Sequence, residues 1–386
     1  MIHTLSLAPA LEAAVASGHP WIYRDNLPAQ RLPDGAIVKV VASGAHAYGV
    51  YAADGAIGVR LFGTEAPDVA LVAQRTSEAI ALRKALVGSG TDAFRVVNGE
   101  GDFLPGIVLD RYGRYGILRS YAPGLQAVAE QVAAEAGRAL KLRGVAQRSV
   151  QGDDSDATRL EAVWGELPPP HLTVIENGLR FEVDVQHGQK GGAFLDQREN
   201  RALVRDVAGG ARVLNLFAYT GGFSVYALAG GAASVVSVDI AKPALATIEH
   251  ALDLNELDRA KHSSSVADVF EYLPRSVKAA NRYDLVIVDP PSLANSAEQR
   301  RRAQRAYLRL NRDAFRLVEA GGLLATASCT AQVSPEAFRQ VVSEAARAAG
   351  VRAQVVAERG HAVDHPVPLS FPEGRYLKFM LLRVSR

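Results

Sequence analysis

The rhythm of apolar and polar positions along this 386-residue chain changes near residue 196. Before that point, short apolar runs alternate with turns. Ile37 to Ala42, Tyr48 to Ala52 and Ile57 to Phe62 are punctuated by Gly44, Asp54-Gly55 and Pro67. Such runs between turn residues predict a small β-rich unit ending near residue 70. Val72 to Leu86 reads as a helix and Arg95 to Gly113 as turn-rich β-structure. Pro123-Gly124 breaks the chain before an Ala-rich amphipathic helix, Leu125 to Leu142. Asp153 to Asp156 and Pro168 to Pro170 mark exposed linker. Leu172 to Ile175 and Leu179 to Val185 flank Asn177-Gly178, a pair that accepts the positive φ angles of a tight hairpin turn.

Beyond residue 196, strands alternate with helices. The strands are Arg212 to Leu216, Ser234 to Val238, Leu285 to Val288 and Leu323 to Ala327. The helices lie near Phe223 to Ala229, Pro243 to Leu254, Ala297 to Val318 and Pro335 to Ala349. This alternation predicts an α/β unit, a mainly parallel sheet covered on both faces, with Val351 to Ala357 and Tyr376 to Val384 as closing strands. The chain divides into three expected domains: residues 1–70, 71–172 and 173–386.

Composition narrows the classes. Hydrophobic residues make up 48% and charged residues 22%, so a core can form; 43 basic against 41 acidic residues leave a net charge of +2. That excludes a strongly basic coat but not a local basic face. One cysteine excludes an intrachain disulfide and any multi-cysteine metal site. The first eleven residues carry no Lys or Arg and are interrupted by Pro9, unlike a signal peptide. Val213 to Val238 lacks charge, but its Asn, Thr, Ser and Gly content reads as strand, loop, helix and strand rather than a membrane span. The expected location is cytoplasmic.

In a parallel sheet, ligands bind at the carboxyl ends of the strands. The first strand ends in Asn215-Leu216-Phe217-Ala218-Tyr219-Thr220-Gly221-Gly222, where paired glycines permit close backbone approach; the dinucleotide fingerprint G-x-G-x-x-G is missing. Asp239 ends the second strand, eighteen residues after Gly221, where a carboxylate can accept both hydroxyls of a ribose. Asp268 follows a weaker third strand, where an acceptor could meet an adenine amino group. Each acid alone is as readily a helix N-cap. Three strand ends in order favour a nucleoside-bearing cofactor. The fourth strand ends in Asp289-Pro290-Pro291-Ser292, whose prolines fix the backbone behind Asp289; no aromatic ring follows to stack a base, which argues against an exocyclic amine as acceptor. The fifth ends in Ser328-Cys329-Thr330, placing the single cysteine on the same rim. A lone cysteine is commonly a small buried hydrophobe. Here it has a chemical use: C5 of a pyrimidine becomes nucleophilic once a thiolate adds to C6.

This set resembles the S-adenosylmethionine-dependent class I RNA methyltransferases, and more closely the PUA-domain 23S ribosomal RNA cytosine-C5 methyltransferases. Gly18-His19-Pro20-Trp21-Ile22-Tyr23 is similar to the start of the PUA module. Asn98 to Asp102 through Tyr112-Gly113 resembles the middle domain, and Gln186 to Lys190 through Phe194 to Arg198 the start of the catalytic domain. The resemblance implies an N-terminal β-rich PUA domain, a middle α+β domain and a Rossmann-like catalytic domain. It implies an S-adenosylmethionine pocket around Phe217, Tyr219, Asp239, Asp268 and Asp289, with Gln197 and Arg198 nearby, and no metal. Asn215 and Gly221 join that pocket from the strand-end pattern. Cys329 is the expected nucleophile and Asp289 the residue that orients the base.

Many 5-methylcytosine enzymes carry a second cysteine after Asp-Pro-Pro, where this chain has Ser292. A lone Ser-Cys-Thr cysteine is also the pattern of 5-methyluridine enzymes, so the base is open at this point. Asp364 and His365 are candidates for the proton abstractor, with an ordinary polar loop as the alternative. Arg302, Arg305, Arg309, Arg312 and Arg316 recur at three- and four-residue steps, a stripe that is either a solvated face or a grip on RNA phosphates. Trp21 and Arg24 are further RNA candidates, with core packing the alternative for Trp21. A non-catalytic RNA-binding or assembly factor and a small-molecule methyltransferase are the other classes; a homodimer is left open.

Overall fold

The structure is a computed structural model, which describes residues 2–150, 158–186, 188, 193–294 and 296–386. Asp153 to Asp156, His187, Gln189 and Lys190 of the motifs above lie outside the described residues. The chain forms two compact units. The first comprises residues 1–178, 183–195 and 363–374; the second comprises 179–182, 196–362 and 375–386.

The first unit holds two five-stranded sheets. One is ordered His3–Ser6, Ile37–Ala42, Ala45–Tyr51, Ile57–Gly63, Trp21–Tyr23. Alternate residues Val38, Val40 and Ala42 are buried, as the period-two pattern requires. The other is ordered Thr158–Gly165, Gly144–Val150, Tyr115–Ser120, Ile107–Tyr112, Ala93–Asn98, and carries the helices Val69–Leu86 and Gln126–Ala139. Thr158–Gly165 pairs antiparallel with Gly144–Val150. Residues 363–374 return to this unit because Asp364 is tied into it. Its Oδ2 accepts from the Arg95 amide at 2.8 Å, and its carbonyl accepts from Arg83, whose guanidinium is buried against Asp102.

The second unit is built on a seven-stranded sheet: β1 (Arg212–Leu216), β2 (Ser234–Asp239), β3 (His262–Val266), β4 (Tyr283–Val288), β5 (Val318–Ser328), β6 (Arg352–Arg359) and β7 (Lys378–Ser385). Their order is β3-β2-β1-β4-β5-β7-β6. The first five run parallel, and β7 enters antiparallel between β5 and β6. Helices α1 (Arg198–Val207), α2 (Gly222–Ala229), α3 (Lys242–Leu254), α4 (Val269–Lys278), α5 (Arg300–Leu317) and α6 (Pro335–Ala349) cover it. The central strands are buried on both faces. Leu214, Leu216, Val286 and Val288 pack with α5 and α6, while Val213, Leu285 and Ile287 pack with α2 and α3. That double burial explains the near-continuous apolar runs. Among the described residues, no helix is long and apolar enough to cross a membrane.

Register sets the rim. Leu216 pairs with Val238 on one side and with Val288 on the other, so Phe217, Asp239 and Asp289 leave the sheet at the same level. Thr326 pairs with Val288, which brings Ser328-Cys329-Thr330 just beyond Asp289.

Candidate active site

The loop after β1 is shaped by three left-handed residues: Phe217 (φ 59°), Tyr219 (φ 48°) and Gly221 (φ 77°). Two of them are not glycine, a conformation that costs roughly 1–3 kcal/mol each and persists only where neighbours impose it. Asp239 does so. Its Oδ2 accepts from the Tyr219 amide and its Oδ1 from the Ala241 amide, both at 2.8 Å. At Gly221 a Cβ would also lie 2.6 Å from the Ile248 side chain, so glycine is required twice over. Asp268 caps α4 by accepting from the Phe270 amide at 2.7 Å, and stays exposed above β3.

At the next strand end, Gln197 donates to Asp289 Oδ1 at 2.9 Å and itself accepts from Asn200 at 2.6 Å. Gln197 is buried behind Asp289, so it orients that carboxylate. Cys329 is half-buried. Its Sγ donates to the Pro290 carbonyl at 3.8 Å, which puts the thiol against the Asp-Pro-Pro turn. Thr330 ties the two strand ends together. Its Oγ1 accepts from the Leu293 amide at 3.0 Å and bonds the Tyr307 hydroxyl at 2.7 Å. Burial pushes the Tyr307 phenol up to about 12 despite its hydroxyl partners, so it stays neutral. Lys378 opens β7 opposite Ser328, and its Nζ donates to the carbonyls of Thr330 (2.7 Å) and Tyr376 (2.8 Å). Burial lowers its ammonium to about 8, and the neighbouring Cys329 charge draws it back up.

The other expected site residues differ in burial and partners. Asn215 is fully buried one pleat short of the rim, and its amide donates to Ser224 Oγ. Ser224 bonds Ser237, which bonds His262, so Asn215 anchors a polar line across β1, α2, β2 and β3. Arg198 is 2% exposed, with its guanidinium on Glu199. The arginine stripe divides. Arg302, Arg305 and Arg309 are exposed, Arg309 lying 4.7 Å over the Phe270 ring, whereas Arg312 and Arg316 pair with buried Asp313. Asp364 is fully buried and bridges the Arg95 amide and His365 Nδ1 within the first unit. Arg24 donates to the carbonyls of Gly55 and Ala52, and the Trp21 indole donates to Glu100 while packing on Phe371.

Among the described residues, the rim offers carboxylates at Asp239, Asp268 and Asp289 and no phosphate cradle. That donor set fits a ligand bearing hydroxyls, amines and a positive sulfonium, and would repel a pyrophosphate. Fold and donor set together define a class I S-adenosylmethionine-dependent methyltransferase domain in a chain that also carries a β-rich N-terminal module. Residues 121–363 match the family model of the S-adenosylmethionine-dependent methyltransferases, and residues 5–64 match that of a PUA-like domain. The chain is 38% identical to a ribosomal RNA large subunit methyltransferase of Deinococcus radiodurans, covering 99% of this chain and 97% of that protein. It is 33% identical to ribosomal RNA large subunit methyltransferase I of Tolumonas auensis, covering 99% and 100%. A solved SAM-dependent methyltransferase assigned in Streptococcus mutans superposes with a TM-score of 0.86 at 23% identity, over 99% of this chain and 100% of that one. The chain belongs to the S-adenosylmethionine-dependent methyltransferase family, and its cofactor is S-adenosylmethionine.

Proposed function

We propose that this enzyme methylates C5 of a cytosine in 23S ribosomal RNA through a covalent bond between Cys329 and C6. The observation that carries the reading is the placement of the single thiol against the Asp289-Pro290-Pro291 turn, on the rim where the cofactor carboxylates stand. The substrate class rests on the large-subunit ribosomal RNA methyltransferases to which the chain is similar. Asp239 and Asp268 would hold the ribose and adenine of S-adenosylmethionine, which supplies an electrophilic methyl group.

The Cys329 thiolate adds to C6, and Asp289, held by Gln197, orients the base at N3. The C6–S bond places electron density on C5, which takes the methyl group. Loss of the C5 proton to a base then lets the thiolate leave. The test is a 5-fluorocytosine-substituted 23S rRNA fragment incubated with enzyme and cofactor, since fluorine at C5 blocks the last elimination. A covalent enzyme–RNA adduct that disappears in Cys329→Ala is expected. A Cys329→Ala enzyme that methylates at the wild-type rate would overturn the mechanism, and trapping by 5-fluorouracil RNA alone would reassign the base.

A further inference from the structure

A buried ammonium with no acid partner is costly, because its desolvation is not repaid by an ion pair. Lys378 is 5% exposed, and among the described residues no carboxylate pairs with it. Two of its three donors are spent on the carbonyls of Thr330 and Tyr376. Those bonds fix Nζ against the residue that follows Cys329, on the strand that pairs with the Cys329 strand. The thiol, meanwhile, rests its proton on the Pro290 carbonyl, an arrangement that favours the uncharged form. The nearby Tyr307 phenol is neutral at working pH.

We propose that Lys378 is the positioning residue that holds Cys329 as a thiolate, its ammonium supplying positive charge beside the residue that follows Cys329. The thiol proton passes to solvent and Lys378 keeps its own, so no bond to Lys378 forms or breaks. Addition of the thiolate to a base then moves the negative charge away from Lys378, and elimination returns it. Because Lys378 itself deprotonates at about 8, the ammonium–thiolate pair exists only between the thiol pKa and that value. This role rests on Cys329 being the nucleophile.

With one cysteine in the chain, thiolate ultraviolet absorbance and the rate of alkylation by iodoacetamide against pH report Cys329 alone, without RNA. Free thiols titrate near ~8.5. The wild-type profile is expected below that of the urea-denatured chain. Lys378→Met should raise it by about one unit or more, slowing alkylation at neutral pH roughly tenfold, and Lys378→Arg should keep it low. A folded Lys378→Met protein with the wild-type profile overturns the proposal. Should that variant not fold, a wild-type thiol that titrates at or above the denatured chain does the same. The two readings separate cleanly. A shifted thiol profile combined with an active Cys329→Ala enzyme retires the nucleophile and keeps the Lys378–Cys329 pair. An inactive Cys329→Ala enzyme with an unshifted profile in Lys378→Met retires only the pair.

Discussion

Replacing Asp239 by alanine should abolish cofactor binding for two separable reasons. On the proposed ribose assignment the carboxylate accepts two ribose hydroxyls, and hydrogen bonds to a charged acceptor are worth about 1.5 kcal/mol or more each, so their loss costs about 3 kcal/mol. The same carboxylate holds the Tyr219 and Ala241 amides at 2.8 Å, and through Tyr219 it keeps the loop with its left-handed Phe217 and Tyr219 in place. Without it that loop relaxes, and rebinding must restore a backbone that costs of order 1–2 kcal/mol. The total, about 4–5 kcal/mol, corresponds to roughly a thousandfold weaker binding. Asp239→Asn keeps one acceptor oxygen for two amides and strands the other amide, so a loss of about tenfold to a hundredfold is expected. Isothermal titration of S-adenosylmethionine into wild type, Asp239→Asn and Asp239→Ala measures all three, with circular dichroism verifying the fold. Binding by Asp239→Ala within about threefold of wild type would refute both the ribose assignment and the role of the loop.

Acid should weaken the second unit through His262. Burial holds this imidazole below its ordinary 6.5, with Glu249 opposing, so the folded protein keeps it neutral beside Ser237. The unfolded chain takes up the proton first, so this contribution is complete above about 6.5 and lost as pH falls below it. Urea midpoints measured from neutral to mildly acidic pH should fall more steeply for wild type than for His262→Gln; equal slopes would refute the assignment. On α5, Arg302→Ala and Arg305→Ala should each reduce the salt dependence of binding to a 23S rRNA fragment by about one ion. Arg312→Ala should leave that slope unchanged and instead lower the urea midpoint, since it removes a bidentate partner from buried Asp313.

The parallel sheet was legible because its central strands are largely apolar on both faces, and each is followed by a turn and a helix. The rim itself was legible at Asp239, Asp289 and Cys329, which directly follow strand ends. Asn215 lies within β1 rather than at its end. It precedes the rim by two residues, and the register of Leu216 with Val238 and Val288 shows that the strand has not yet ended there. Arg312 and Arg316 have the spacing of an exposed stripe, yet Asp313, next to one and three residues before the other, is buried and draws both in. That carboxylate was visible in the sequence, and its burial was not. Lys378 was hidden more deeply. It sits in an apolar strand 49 residues after Cys329, and only the antiparallel entry of β7 between β5 and β6 brings the two together. Sequence order predicts which residues can share a rim in a parallel run; a strand inserted out of order escapes it. A strand-end motif therefore locates Cys329, while Lys378 arrives from a strand whose place in the sheet no local pattern records.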